Sequence, residues 1–546
     1  MRKKRGVRLA LNRATALAVA SMGSIGSVAA FEIPMGESDV KARWDNTIKY
    51  STAYRLHNPS ERIAGGDAGA PPPGPQLDDG DRNFRKGVVS NRVDLFSELD
   101  ASYENFGGRI SGAAWYDSVY NQSNDNRSAT VNSTSVGAGE FTHPTRDMMG
   151  RKAEILDAFF YFKSRDDAET PFSVRAGRHT VLYGESLFFG ANGIANAQAP
   201  IDLIKLLSVP GSQFKEIIRP VGQVSTQVQV SSKVSVGAYY QYEWQKNRLP
   251  PSGSYLSDVD FVGAGAESLL GMRKVHDDKP DSFQGGLQTR FKLGDSDIEY
   301  GLYAAQYNDK GPQIMLDPAA SSFHYVYAEK VKTVGASFST VVGEANVAGE
   351  LSYRWNAPLV SAPQVDIGRL GNGRDNPLYA VGKTLHAQVS GIYLMSKSPI
   401  WDGAELLGEV AWNRTLSVDK NPLAMDPNVT RDAMAVRAIF SPQYFQVLPG
   451  IDLSLPIGIG YNPYGRSSAV FKFNGGVERG GDFSIGIAGS YQKQVKFGLT
   501  YNHFFGRENA FLTPNTSTSI PGPFMTTGAQ SLADRDFVSL SIQSTF

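Results

Sequence analysis

Asp536-Phe537-Val538-Ser539-Leu540-Ser541-Ile542-Gln543-Ser544-Thr545-Phe546, the last segment of this chain, decides the fold. Val538, Leu540, Ile542 and Phe546 share one face, and Ser539, Ser541, Gln543 and Thr545 share the other. Alternation with a period of two residues is the mark of a strand whose two faces meet different surroundings. Alone, this segment fits the edge of any sheet, so its meaning depends on how often the pattern recurs.

It recurs along the whole chain. Val40-Lys-Ala-Arg-Trp-Asp-Asn-Thr-Ile-Lys-Tyr50 places Val40, Ala42, Trp44, Ile48 and Tyr50 opposite Lys41, Arg43, Asp45 and Lys49. Alternating pairs follow near 88–104/108–120, 153–163/172–178, 224–230/234–244, 283–293/298–307 and 331–341/345–355. Further pairs fall near 384–394/404–414, 432–440/453–461 and 482–492/495–504. Gly294-Asp295-Ser296-Asp297 and Val342-Gly343-Glu344 are hairpin turns, whereas 55–87, 121–151 and 178–221 are long polar connections. Short turns alternating with long loops predict an all-β, closed antiparallel transmembrane barrel of about 18 strands, with 16 as the alternative count. Closure leaves no open edge, so every backbone group is paired without water.

Composition agrees. The 546 residues hold 56 Gly, 24 Tyr and 29 Phe, and no run after Phe31 reaches the ~18–20 apolar residues of a membrane helix. Aromatic side chains such as Trp44, Tyr54, Trp115, Tyr120, Trp244 and Trp355 recur near strand ends, as suits two membrane interfaces. There is no cysteine, which excludes disulfide and thiol chemistry. Arg2, Lys3, Lys4, Arg5, Arg8 and Arg13 precede the small-apolar run Ala14–Val28, and Val28-Ala29-Ala30 is a cleavage-type site. Residues 1–30 are therefore expected to be a signal peptide cut near Ala30, leaving a barrel over 31–546 in the outer membrane of a Gram-negative bacterium. Without that leader, 48 basic residues face 54 acidic ones, a net charge of −6 that argues against a nucleic-acid partner.

One connection breaks the rhythm. Residues 178–221 contain Arg178-His179, Tyr183-Gly184-Glu185-Ser186-Leu187 and Pro200-Ile-Asp202-Leu-Ile-Lys205-Leu-Leu207. A long segment mixing apolar and charged residues folds onto something. It is expected to be a plug or constriction inside the lumen, with Arg178, His179, Tyr183, Glu185, Asp202 and Lys205 as candidate pore residues. The alternative is an extracellular lid on neighbouring loops. Lumen-facing candidates on the strands include Lys41, Arg43, Lys49, Asp94, Glu98, Asp117, Glu350, Arg354, Glu409 and Asn413, of mixed sign, as befits a channel without strong ion preference.

Catalytic and metal signatures are weak. The seven histidines are scattered, no Gly-Xaa-Ser-Xaa-Gly elbow occurs, and His179, Glu185 and Ser186 are the nearest grouping to a hydrolase triad. Asp78-Asp79-Gly80-Asp81 and Asp258-Val-Asp260 lack the spacing of a calcium loop and read as solvated loop acids. No enzyme activity, catalytic residue, metal or cofactor is expected.

Gly177-Arg178-His179, Tyr183-Gly184-Glu185-Ser186-Leu187 and Ala199-Pro200-Ile-Asp202, with the opening Phe31-Glu-Ile and Trp44-Asp-Asn-Thr47, resemble the proteobacterial outer-membrane family called domain of unknown function 1302. His179 stands where that family carries Gln, and Tyr183 where it carries Trp. The closing strand ending in Phe546 also resembles the one that outer-membrane barrels present to their insertion machinery. The family resemblance implies a barrel that works with a periplasmic carrier and a resistance-nodulation-division (RND-type) inner-membrane permease. It points to passage of small hydrophobic or aromatic, lipid-like molecules across the outer-membrane lipid. A structural or adhesive barrel whose long loops bind a surface partner is the second expectation, and a barrel hydrolase the third.

Overall fold

The computed structural model describes residues 31–33, 39–64, 78–128, 130–165, 167–208, 217–515 and 522–546. The leader lies outside them. Eighteen strands run β1 (Val40–Arg55), β2 (Gly87–Tyr103), β3 (Phe106–Asp117), β4 (Arg151–Lys163), β5 (Phe172–His179) and β6 (Val221–Ser231). They continue as β7 (Val234–Gln241), β8 (Gln284–Lys292), β9 (Glu299–Tyr307), β10 (Val331–Val342), β11 (Ala345–Pro358) and β12 (Val381–Met395). The last six are β13 (Gly403–Lys420), β14 (Asp432–Leu448), β15 (Ile451–Ser454 and Ile457–Tyr464), β16 (Gly481–Tyr491), β17 (Val495–Phe505) and β18 (Phe537–Thr545). β15 is broken at Leu455-Pro456, because proline has no N–H to give to the ladder.

Each strand pairs antiparallel with the next, and β18 returns to β1 with Thr47 opposite Thr545 and Arg55 opposite Phe537. The cylinder is closed. Phe546 adds a last rung, giving its N–H to Asn46 at 2.8 Å and taking the Asn46 N–H at 2.7 Å. Below that rung the free lower edge of β1 is covered by the short strand Phe31–Ile33. Lys41 and Arg43 share the strand face of inward Lys49 but lie on this overhang, where they are exposed. Even-numbered strands are followed by short turns and odd-numbered strands by longer connections. Gly343 takes the tight β10–β11 turn at φ 62°, a conformation that costs glycine little.

The faces of the strands are inverted relative to a water-soluble sheet. On β11, Glu350 is 6 % exposed and Ser352 2 %, while Leu351 between them is 50 % exposed. On β13, Glu409 is buried and Val410 exposed. Lys49, Asp94, Glu98, Asp117, Arg354 and Asn413 are likewise buried, and Leu95, Leu99, Leu287, Leu302, Val389 and Ile487 are exposed. A wall that turns its aliphatic residues outward and its charges inward is stable only in lipid. Trp44, Tyr54, Tyr103, Tyr116, Tyr240, Tyr242 and Tyr464 stand on the outer surface, whereas Trp115 and Tyr120 turn inward and Trp244 packs among the loops.

The longer connections pack on one another at one mouth. A five-stranded sheet joins Ser268–Leu269, Met272–Lys274, Gln313–Asp317, Ser322–Val326 and Gln364–Val365, over a core of Phe261, Phe323, Tyr325, Phe511 and Phe524. A second core sets Phe84, Tyr120, Phe141, Tyr255 and Phe537 together.

Candidate functional site

The connection between β5 and β6 turns inward at Thr180 and follows the inner wall. Tyr183 packs its ring 5.5 Å from that of Tyr239 on β7 and 6.3 Å from that of Tyr303 on β9, both inward-facing and buried. Glu185 bonds Arg290 on β8, which also holds Glu299 at 2.8 Å near the short-turn rim. The Glu185 N–H reaches Glu350 at 2.7 Å. Glu409 on β13 then accepts the N–H groups of Leu187 (3.2 Å), Phe188 and Phe189 (2.9 Å), and the Phe189 ring lies 5.6 Å from that of Phe473.

From there the chain returns along the same wall. Asn192 gives its amide to Gln388 at 3.1 Å and meets His386 at 3.0 Å and Asn413 at 3.1 Å. Arg354 donates to the carbonyls of Asn192 (2.8 Å) and Gly193 (2.7 Å), and the Ile194 N–H reaches Glu350 at 2.8 Å. Two glycines allow this approach. A Cβ at Gly184 (φ 97°) or at Gly193 would collide with the Glu350 carboxylate. Gln241 on β7 then donates its side-chain amide to the Gln198 carbonyl at 2.7 Å.

The final part crosses to the other side. A short helix, α1 (Leu203–Ser208), is capped where the Lys205 N–H meets Asp202 at 3.1 Å. The Lys205 ammonium lies 5.5 Å from the centre of the Trp115 ring on β3, with Arg92 at 4.7 Å and Arg248 at 5.9 Å. Asp202 pairs with Arg248 at 2.7 Å. A small cavity here is lined by Thr47, Lys49, Asp94, Phe96, Lys205 and Gln543.

The remaining sequence-chosen residues, His179 and Arg178, sit apart from this path. The His179 Nε2 is 2.7 Å from the Ser225 Oγ, so neither it nor the Arg290-bound Glu185 is joined to Ser186 as a triad. Arg178 falls on the opposite face of β5, bonded to the Ile155 carbonyl and Glu243. Gln388, His386 and Arg248 were missed from sequence, since nothing local marks a side chain whose partner is some 50 to 200 residues away.

The two acidic motifs are not solvated. Packing of the loops buries them together: Asp78 binds Arg535, Asp258 binds Lys472 at 2.5 Å, and the Asp79 N–H reaches Asp260 at 2.6 Å. Arg55, wholly buried, holds Asp81 at 2.6 Å and Asp534 at 3.1 Å. Burial, with the neighbouring Asp260 charge, pushes the Asp79 carboxyl up to about 7, and burial with Asp81 does the same for Asp534. Among the described residues no group of three or more His, Cys, Asp or Glu is arranged to hold a metal ion.

Closed strands, an apolar outer band and a polar interior define a membrane-spanning β-barrel. The chain belongs to the family described as protein of unknown function DUF1302, whose model matches residues 11–546. No curated protein matches it. Among solved structures it is similar to OccAB1 of Acinetobacter baumannii, with 10% identity over 95% of this chain and 99% of that one and a TM-score of 0.43. It is also similar to the outer membrane channel DcaP of Acinetobacter baumannii, with 10% identity, 95% and 100% coverage and a TM-score of 0.37. A third similar structure is Pseudomonas aeruginosa OpdK with vanillate, with 10% identity, 92% and 98% coverage and a TM-score of 0.38.

Proposed function

We propose that the protein is an outer-membrane channel for small hydrophobic or aromatic, lipid-like molecules, with residues 178–221 as the constriction of its lumen. The observation that carries this reading is the anchorage of that segment on inward-facing Glu350 and Glu409. A surface lid has no use for carboxylates placed in mid-strand on the inner wall. The same segment leaves Leu182, Leu206 and Leu207 exposed, which offers an apolar solute something to touch along an otherwise charged path. A periplasmic carrier and an inner-membrane permease would deliver or collect such a solute, because it is poorly soluble in the space between. Phe546, on the last rung of the barrel, would be the handle for the insertion machinery.

A second reading, attachment of a surface partner through the loops, is favoured by Val365, Ile367 and Leu370. These are three large apolar residues exposed close together on the β11–β12 connection.

The test is single-channel current in a planar bilayer, comparing the intact protein with a form lacking 180–219. A small current that becomes a large steady conductance on deletion supports the constricted channel. No current from either folded protein overturns it and transfers weight to the loops. Removal of the 359–380 connection with loss of attachment and unchanged flux would establish the second reading.

A further inference from the structure

Among the described residues, the ladder between β4 and β5 covers only part of the length of β4. Their ladder ends where Ala158 faces Arg178, although β4 continues to Arg151 and is paired there with β3. Among the described residues, no strand pairs with the other edge of 151–157. The eight residues of β5, at ~3.3 Å each and tilted by about 40°, climb ~20 Å. The thirteen residues of β4 climb ~33 Å, so β4 outruns β5 by about 13 Å. The bottoms of the two strands are level, Lys163 facing Ser173, so the deficit falls at the long-loop end, in the outer leaflet.

Side chains fill the gap. Arg178 donates to the Ile155 carbonyl at 3.4 Å, standing in for a missing strand, and its Nε is 3.5 Å from Glu243. On the lumen side Glu154 takes Arg248 at 2.5 Å and Arg219 at 3.4 Å, and Arg248 also holds Asp202. A backbone ladder in lipid opens only by leaving many N–H and C=O groups unpaired, whereas ion-paired side chains exchange partners by rotamer changes. The outer lip carries Ile155, 55 % exposed, and the paired wall below it continues apolar with exposed Phe160 and Val224. Directly behind it the chain leaves β5 for the lumen, carrying the exposed Leu182.

We propose that this seam is a side portal through which apolar molecules pass between the lumen and the outer leaflet, with Arg178, Glu154, Arg219 and Arg248 as its movable wall. The inference rests on the reading of the barrel as a conduit for apolar molecules. Such a molecule is drawn sideways because its apolar surface leaves water on entering lipid. A sideways path also spares it the layer of buried loop charges at the mouth.

The absence of cysteine allows a direct test. Glu154→Cys with Arg219→Cys is bridged by a bis-methanethiosulfonate reagent in cells, and entry of N-phenylnaphthylamine into the outer membrane is followed by fluorescence. Bilayer current is measured on the same purified protein, its folding checked by heat-modifiable gel mobility. The bridge is expected to abolish the protein-dependent entry of the probe, reversibly on reduction, with ionic current unchanged. Arg178→Ala, which leaves both bridged positions intact, is expected to raise entry. Unchanged entry in the verified bridged protein, or no effect of Arg178→Ala, overturns the portal. A protein that conducts ions yet admits no probe overturns the portal and leaves the conduit standing. Probe entry blocked by the bridge in a protein without current supports the portal and removes the open channel.

Discussion

Phe189 gives its backbone N–H to Glu409 at 2.9 Å, joining a segment that leaves β5 to a strand eight places further round the barrel. The same carboxylate holds the N–H groups of Leu187 and Phe188. Glu350 does likewise for Glu185 and Ile194, so two wall residues fix the outward and returning arms together. Neither anchor is on the segment, so each can be removed without altering the segment itself.

Glu409→Ala is expected to free three donors of the segment at once and to raise single-channel conductance in a fully folded barrel. Hydrogen bonds to a charged group contribute about 1.5–3 kcal/mol each, enough to shift the population of the anchored arm strongly. Glu409→Gln keeps an acceptor oxygen and should have a smaller effect. Equal currents from the parent and the alanine variant would show that the anchor does not hold the constriction.

The lipid-facing assignment makes a sharper demand. Leu351 is half exposed in the middle of β11, where a water-soluble protein would accept arginine at almost no cost. In a bilayer, Leu351→Arg is expected to destabilise the barrel by ~2–4 kcal/mol, read from urea unfolding in liposomes. The neighbouring Ser352→Thr, on the lumen face, should change stability far less. A neutral Leu351→Arg would contradict the membrane orientation of this wall.

How much of this was legible follows from where each signal resides. A strand writes its two faces into every second residue, so the order of strands could be read, and their number to within one hairpin. Glu350 and Glu409 could be placed on the inner wall for the same reason. Their role could not be read, because their partners are backbone N–H groups about 160 and 220 residues away, and any residue but proline supplies an N–H. Asp78-Asp79-Gly80-Asp81 misled for a related reason. Its burial depends on Arg535 and Arg55, brought over it by the packing of separate loops, and no local pattern records that approach. The gap beside β5 left no distinct trace, because its alternating run, 172–178, is no shorter than 224–230, whose strand is paired on both edges.

Phe546 separates folding from targeting. Its backbone pair with Asn46 survives any side-chain change except proline, so Phe546→Ala should refold from urea into detergent with ordinary yield. If the ring is read by the insertion machinery, the same variant should be depleted from the outer membrane of growing cells. Normal abundance there, measured by fractionation and blotting, would remove that role from the terminal side chain.

The buried acids of the mouth give the loops a pH dependence of definite sign. Asp79 faces Asp260, Arg82, Asn126 and Asn132, and Asp534 faces Asp81, Arg55, Arg535 and Ser60. Both carboxyls are raised to about 7 when the loops are packed and return to the ordinary carboxylate range when they open. Between about pH 4 and 7 the packed state therefore binds more protons than the open one, and its stability falls as pH rises through that window. Amide hydrogen exchange of residues 78–86 and 528–536, corrected for intrinsic rates, should show weaker protection at pH 8 than at pH 5.5 with the strands unchanged. Protection that increases with pH would mean that the Arg55 and Arg535 pairs, which need ionised partners, outweigh the cost of charging the two acids.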